Sequence, residues 1–342
     1  MVKVVHYSKE YEKQWSDFVD NSQHSSIAHQ IGWRDVIQCG LGHKPIYLMA
    51  IDKSGVRGIL PLFQVITWWR ARYLISIPWL DYGGVLSDSV EIDNMLLEAA
   101  IKIAKERNAH FIELRSEQRH SPNLSCRTDK ATFLLTLDKN HDSIWKGFNA
   151  KLRNQVRKAG KSGLDTEIGG IELLQEFYRI FSWKMRDLGT PVWGYPFFYQ
   201  LMKKFSNSQI ILVKIDNAYI ASGLIMKFRK RLYVPSAASF RKYLKYCPNH
   251  ALYWTTIKQG CIDGFTHFDF GRSTLDSNTY NFKKQWVPNP TILNWQYYLN
   301  RIHEIPSLSP QNRKYSYFIK LWRLLPLTVA NYLGPKVIRN FP

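Results

Sequence analysis

The sequence predicts a tandem of two α/β domains of one design, each with a central mixed sheet and flanking helices. Three observations lead there. A strand–turn–strand pattern occurs twice, a helix followed by a strand comes after it both times, and 342 residues accommodate two cores of ordinary size. Hydrophobic residues at 45% against 22% charged exclude a disordered chain.

The first hairpin signal is IYLMAIDKSGVRGILPLF at 46–63, two β-rich runs around an Asp-Lys-Ser-Gly turn. The second is IILVKIDNAYIASGLIMKF at 210–228, with an Asp-Asn turn. Further strand-like stretches follow at 71–86 and 231–239. Then come helical stretches, 96–114 and 251–270, with apolar residues recurring at three and four. Each runs into a His-Phe pair that opens a strand, His110-Phe111 and His267-Phe268, roughly 160 residues apart. One hairpin match is within reach of chance; a shared order of four elements argues for duplication. The two histidines, at equivalent positions, read as structural.

Between the copies, IWKGFNAKLRNQVRKAGKSGL (144–164) predicts one basic helix carrying Lys146, Lys151, Arg153, Arg157, Lys158 and Lys161. Asp142 or Ser143 would cap it, and Gly160 and Gly163 would end it. A second helix is predicted over 171–189, stopped by Gly189 and Pro191. Beyond a Pro/Ser linker, the tail is apolar with Lys320, Arg323, Lys336 and Arg339 interspersed, and Pro326 should divide it into two short helices. It reads either as an element packed on the second domain, the favoured reading, or as an interfacial pair on anionic lipid. The expected domains are 1–145, 146–300 and the tail 301–342.

Lys+Arg 47 against Asp+Glu 27 gives a net charge of +20, a field that draws polyanions such as tRNA, nucleotide diphosphates, lipid phosphates or anionic membrane. Four cysteines (Cys39, Cys126, Cys247, Cys261) lack CxxC or zinc-ligand spacing and read as reduced thiols. The first residues, MVKVVHYSKEYEKQW, lack the apolar core of a signal peptide, and no run approaches ~18 apolar residues. A cytoplasmic protein is expected, with membrane contact left to the tail. No nucleophile elbow, HExxH, Walker loop or paired His/Cys spacing occurs, and no metal or resident cofactor is implied.

Three blocks carry a family resemblance: KLRNQVRKAGKSGL at 151–164, FSWKMRDLGTPVWGYPFFYQLMKKF at 181–205, and FDFGRSTLDSNTYNFKKQWVPNPTILNWQYYL at 268–299. Together they resemble the FemAB family, which makes the amino-acid bridges of peptidoglycan. The Arg-Asp-Leu-Gly-Thr-Pro core at 186–191 is similar to a branch found beside exosortase/PEP-CTERM and exopolysaccharide genes. The resemblance implies two domains of the GNAT (acetyltransferase-like) fold, a site in the second, and transfer of an acyl or aminoacyl group to an amine of a cell-envelope or exopolysaccharide precursor. The donor would be aminoacyl-tRNA or an acyl thioester.

By that resemblance Phe282 and Lys283 line the reaction centre. A lysine held on a strand there would neutralise an oxyanion or hold phosphate, while Lys284 would point to the opposite face; both could equally be sheet-edge lysines. Asp269 would accept the amine proton, orient Arg272, or simply cap the turn before Gly271. Arg272 suits bidentate phosphate binding and Tyr280 would stack on or bond the acceptor. Lys151, Arg153 and Arg157 share one flank of the basic helix and by resemblance adjoin the acceptor's phosphate, unless that helix is merely a solvated face.

Coenzyme A enzymes of this fold use a glycine-bearing loop whose amides cradle the pyrophosphate. Here that place, SFRKYLKYCPNHALYW after the strand at 231–239, has no glycine. Coenzyme A is disfavoured, although Arg241, Lys242 and Lys245 would suit another phosphate donor. The competing readings are a thioester-dependent acyltransferase of amino sugars and a non-enzymatic basic module for RNA or membrane.

Overall fold

The computed structural model describes residues 1–306 and 313–341; part of the expected linker, 307–312, lies outside them. The strands are β1 (Lys3–His6), β2 (Lys44–Asp52), β3 (Gly55–Ile66), β4 (Arg72–Ser76), β5 (Leu86–Ser87), β6 (Phe111–Leu114), β7 (Ser125–Arg127), β8 (Lys130–Thr132), β9 (Leu134–Thr136), β10 (Leu164–Gly169), β11 (Gln209–Ile215), β12 (Ala218–Phe228), β13 (Arg231–Ser239), β14 (His267–Asp269), β15 (Ser273–Thr274), β16 (Thr291–Ile292) and β17 (Trp295–Leu299). The helices are α1 (Glu12–Asn21), α2 (Trp33–Leu41), α3 (Val90–Glu106), α4 (His141–Gly147), α5 (Ala150–Lys161), α6 (Leu174–Leu188), α7 (Tyr195–Lys204), α8 (Pro248–Ile262), α9 (Asn278–Lys284), α10 (Arg313–Leu324) and α11 (Leu327–Ile338).

Two compact units result, the first made of 1–130, 292–308 and 336–342, the second of 131–291 and 309–335. The first sheet runs β1-β2-β3-β4-β6-β17-β7, with β5 on β3; the second runs β10-β11-β12-β13-β14-β9. The duplication is visible element by element. Both hairpins carry a β-bulge close to the turn, at Ala50/Ile51 and at Val213/Lys214. In both, the third strand pairs in parallel with the strand that follows a crossover helix, Tyr73 against Phe111 and Leu232 against Phe268. Each core forms where the crossover helix covers one sheet face. Leu96 and Ala100 meet Leu48, Leu60 and Leu74 in the first unit, and Leu252 and Ile257 meet Ile211 and Leu232 in the second.

Domain boundaries at 145/146 and 300/301 therefore need correction. β9 precedes residue 145 yet pairs antiparallel with β14, and β17 precedes residue 300 yet pairs antiparallel with β6. Each sheet completes itself with a strand from the other half of the sequence, so pairing and not chain order sets the division.

The single helix expected over 144–164 is two. Asn149 adopts an extended backbone and its side chain accepts from Leu152 N at 2.9 Å, opening α5, while Phe148 turns into the core. Asn140, not Asp142 or Ser143, caps α4 by accepting from Asp142 N. α5 ends at Lys161, with Gly163 beyond it at φ +70° and Gly160 inside the helix. α6 stops at Gly189, whose φ of +75° favours glycine. Pro326 separates α10 from α11 as expected. α10 packs on α6 through Ile319, so close to Gly189 that an added Cβ would meet it. No described helix is long and apolar enough to cross a membrane.

Candidate active site at the carboxyl ends of the second sheet

In the second unit β13 and β14 pair only from Arg231–Tyr233 to His267–Asp269. Beyond them the rest of β13, 234–239, has no strand on that side among the described residues. The chain leaves β14 through Phe270, whose N–H bonds Phe133 O at 3.0 Å, and through Gly271 at φ +69°. A residue with a Cβ would be strained there. Two parallel strands that diverge at their carboxyl ends open the crevice in which α/β sheets bind ligands.

One wall of this end is the segment after β14. Asp269 is fully buried; its Oδ1 accepts from Thr132 Oγ1 at 3.1 Å and from Gly271 N at 2.8 Å, and Arg231 Nη1 lies 3.6 Å from Oδ2. Those bonds are of the turn-capping kind. Lys283, expected on a strand, stands in α9. Ser277 opens that helix by accepting from Tyr280 N at 3.2 Å, and Phe282 and Trp286, one turn apart, carry its apolar side into the core. Lys283 and Lys284 are thus about 100° apart, not on opposite faces. Lys283 Nζ donates to Gly271 O and Arg272 O, both at 2.9 Å, and so ties α9 to the turn after β14. Tyr280 meets Phe133 edge-on at 5.3 Å, with Lys284 over its ring.

His250, which the sequence reading passed over, sits in the first turn of α8 against Phe282 and Trp286, at 5.2 and 6.1 Å. Its Nε2 and Trp286 Nε1 are buried with no hydrogen-bond partner. Burial pushes its pKa down to about 4.

At the same end of the sheet lies a cavity of about 550 Å³ lined by α6 (Arg179, Trp183, Asp187), the start of β12 (Ala218, Tyr219) and the segment after β13 (Phe240–Tyr243). Arg179 is tied to Glu176 at 2.8 Å and lies over Phe240; Asp187 is paired with Arg186, whose guanidinium stacks on Trp183 at 4.3 Å. Of the Arg-Asp-Leu-Gly motif, Asp187 lines the cavity. Arg241 and Lys242 are exposed and make no ion pair among the described residues, so the uncompensated charge is positive. Of the expected phosphate holders these two line the cavity, whereas Lys245 does not.

A pyrophosphate cradle in the coenzyme A manner has little to offer here. At the start of α8 Pro248 has no N–H, and His250 N and Ala251 N both bond Cys247 O. At most the Asn249 N–H remains of that turn. Cys247 itself, at φ +60°, donates to Gln155 Oε1 of α5 at 2.8 Å, which sets the basic helix beside this loop. On α5, Lys151 and Arg157 are exposed, Arg157 lies over Trp145 at 5.5 Å, and Arg153 Nε is buried without a partner. None of Lys151, Arg153, Arg157, Asp269, Arg272, Tyr280, Phe282 and Lys283 lines the cavity. The sequence reading missed Arg179, Trp183, Tyr219 and Phe240; the one signal was Arg179 and Trp183 four apart on a predicted helix. Among the described residues no group of three His, Cys, Asp or Glu is placed to hold a metal.

Residues 146–284 match the acetyltransferase (GNAT) domain family. No curated protein sequence matches the chain significantly. Among solved structures, FemX superposes with a TM-score of 0.65 at 16% identity, over 87% of this chain and 98% of FemX. The C-terminal domain of a putative lysylphosphatidylglycerol synthetase from Agrobacterium fabrum follows at 0.58 and 12% identity, over 84% and 91%. A tandem GNAT protein from the clavulanic acid biosynthesis pathway gives 0.53 at 10% identity, over 87% and 97%. The fold is the FemAB-like tandem GNAT fold, and the domain at 146–284 makes the chain an acyltransferase.

Proposed function

We propose that the chain transfers an acyl or aminoacyl group to an amine of a phosphate-bearing precursor of the cell envelope or of an exopolysaccharide. The observation that carries this reading is the pair Arg241 and Lys242, two cations that make no ion pair among the described residues, on a cavity just past the carboxyl end of β13. An anionic substrate neutralises them, and the side of 236–239 turned away from β12 is available to an extended, amide-bearing substrate in the way a free sheet edge takes a strand. The structural likeness to FemX and to a putative lysylphosphatidylglycerol synthetase supports the aminoacyl form.

In that reaction the amine nitrogen attacks the activated carbonyl, a C–N bond forms, the ester C–O bond breaks, and the amine's proton ends on the leaving oxygen. Lys283 acts by holding the turn at Gly271–Arg272. The basic helix α5, with Lys151, Arg153 and Arg157, gathers the phosphate-bearing partner. The amide-poor start of α8 favours an aminoacyl ester or a carrier-bound thioester over coenzyme A. Transfer from a thioester to an amino sugar is the second reading, and the same amide argument leaves it open only for donors held elsewhere.

The test supplies aminoacyl-tRNA, acyl-carrier thioester and coenzyme A thioester in turn to purified protein and follows the acceptor by mass. Transfer from aminoacyl-tRNA, lost in Arg241→Ala/Lys242→Ala, supports the first reading. Transfer from coenzyme A that this variant leaves intact sinks it.

A further inference from the structure

The tail helix α10 hides Trp322, 5% exposed, and sets Ile319 against α6. Its opposite side is a stripe at helical spacing: Tyr317, Leu321 and Leu324 are 68%, 66% and 80% exposed. Leu188, at the end of α6, extends the stripe at 47%. Such exposure runs against the usual economy of an amphipathic helix, which turns its apolar side inward.

The described charges on α10 are all of one sign, and the neighbouring carboxylate on α6, Asp187, is paired with Arg186. Lys320 lies beside Tyr317, and Arg323 donates to Leu188 O at 3.4 Å. From Ile305 to Pro342 the sequence has no Asp or Glu but contains Arg313, Lys314, Lys320, Arg323, Lys336 and Arg339. Twelve residues of helix extend about 18 Å, too short for a hydrocarbon core of about 30 Å, so a helix of this kind lies in a surface and does not cross it.

We infer that α10 docks the enzyme flat on an anionic lipid surface, Leu321 and Leu324 entering the acyl boundary while Lys320 and Arg323 meet headgroup phosphates. Charge complementarity selects this occupant over a second copy. Two copies joined through this face would bring Lys320 and Arg323 against their own counterparts, with no carboxylate on α10 to answer them. The docking is independent of the acyl chemistry, since none of these residues lines the cavity.

The experiment is co-sedimentation of the full chain with phosphatidylcholine vesicles, with and without phosphatidylglycerol, alongside sedimentation velocity without lipid. Wild type should bind the phosphatidylglycerol vesicles and weaken as salt rises. Leu321→Glu/Leu324→Glu should lose about tenfold or more in partitioning, and Lys320→Glu/Arg323→Glu should lose the preference for anionic lipid. All four side chains are exposed, so unchanged melting and unchanged transfer to a soluble acceptor should accompany both losses. Absence of binding by wild type, or both variants binding as wild type does, overturns the inference. So does a wild-type dimer that Leu321→Glu/Leu324→Glu dissociates, which assigns the stripe to self-association instead.

Discussion

The two copies differ most where the third strand of each sheet ends. After β13 the chain runs out as an exposed basic segment, 240–246, beside an open cavity. After β4 the equivalent segment, 77–86, is buried throughout and held in strained backbone, with Ile77 at φ +44° and Trp79 at φ +80°. Strand register aligns His-Phe-Ile-Glu-Leu-Arg-Ser at 110–116 with His-Phe-Asp-Phe-Gly-Arg-Ser at 267–273. Leu114 therefore stands where Gly271 lets the second copy leave its sheet. In the first copy Arg115 is buried, bonded to Glu113 at 2.6 Å and to Leu80 O at 3.1 Å, and stacked on Trp295; Tyr297 closes the network on Glu113 at 2.9 Å. One ancestral opening is thus plugged by its own loop and an internal ion pair, and the other kept open with its cations facing solvent. The same scaffold position serves stability in one copy and binding in the other.

The largest expected effect breaks the plug. Arg115→Ala strands Glu113 beside Tyr297 in a buried site, a loss of about 3–5 kcal/mol. Denaturant unfolding should register it. A variant that melts like wild type would mean the network is not what closes the first copy.

Next in size is the converse change in the second copy. Arg241→Ala and Lys242→Ala each remove a charge-assisted contact of about 1.5–3 kcal/mol to an anionic substrate. KM should rise about tenfold or more per residue with the melting temperature unmoved. If stability fell as it does for Arg115→Ala, these residues would be structural and the contrast between the copies would fail.

Lys283→Ala should cost about 1–3 kcal/mol, because two buried-side carbonyls lose their donor. Lys283→Met keeps the stem and removes the charge. A role through the turn predicts that kcat and stability fall together in both variants. Lost activity at full stability would point instead to direct contact with the reacting atoms.

Much of this contrast was legible in the residues. Both hairpins, the crossover helices and the stops at Gly189 and Pro326 follow from local pattern, since periodicity and turn chemistry act within a few residues. The exchange of β9 and β17 was hidden, because strands of three and five residues carry almost no periodic signal. α9 was hidden for another reason. Asn-Thr-Tyr-Asn-Phe-Lys is poor in strong helix formers and reads as strand, and only the Ser277 cap and the packing of Phe282 with Trp286 make it helical. The cavity is assembled from three separated segments, which no local pattern can join; the exposed Arg241 and Lys242 were nonetheless identified from the missing glycine.

The smallest effect is a matter of pH. His29 and His43 in the first unit and His250 in the second have their pKa pushed from 6.5 down to about 4 by burial. Between those values the unfolded chain holds protons that the folded one refuses. Stability from each histidine is therefore complete above pH 6.5 and is lost as pH falls toward 4, with a slope of at most about 1.4 kcal/mol per pH unit each. Burial also lowers His267 in the second unit, so both units lose stability on acidification. Replacing His250 with Gln should flatten the acid limb by about one proton, measured as unfolding free energy from pH 7 to 4. An unchanged slope would mean that His250 is protonated in the folded chain and its Nε2 is not, after all, without a partner.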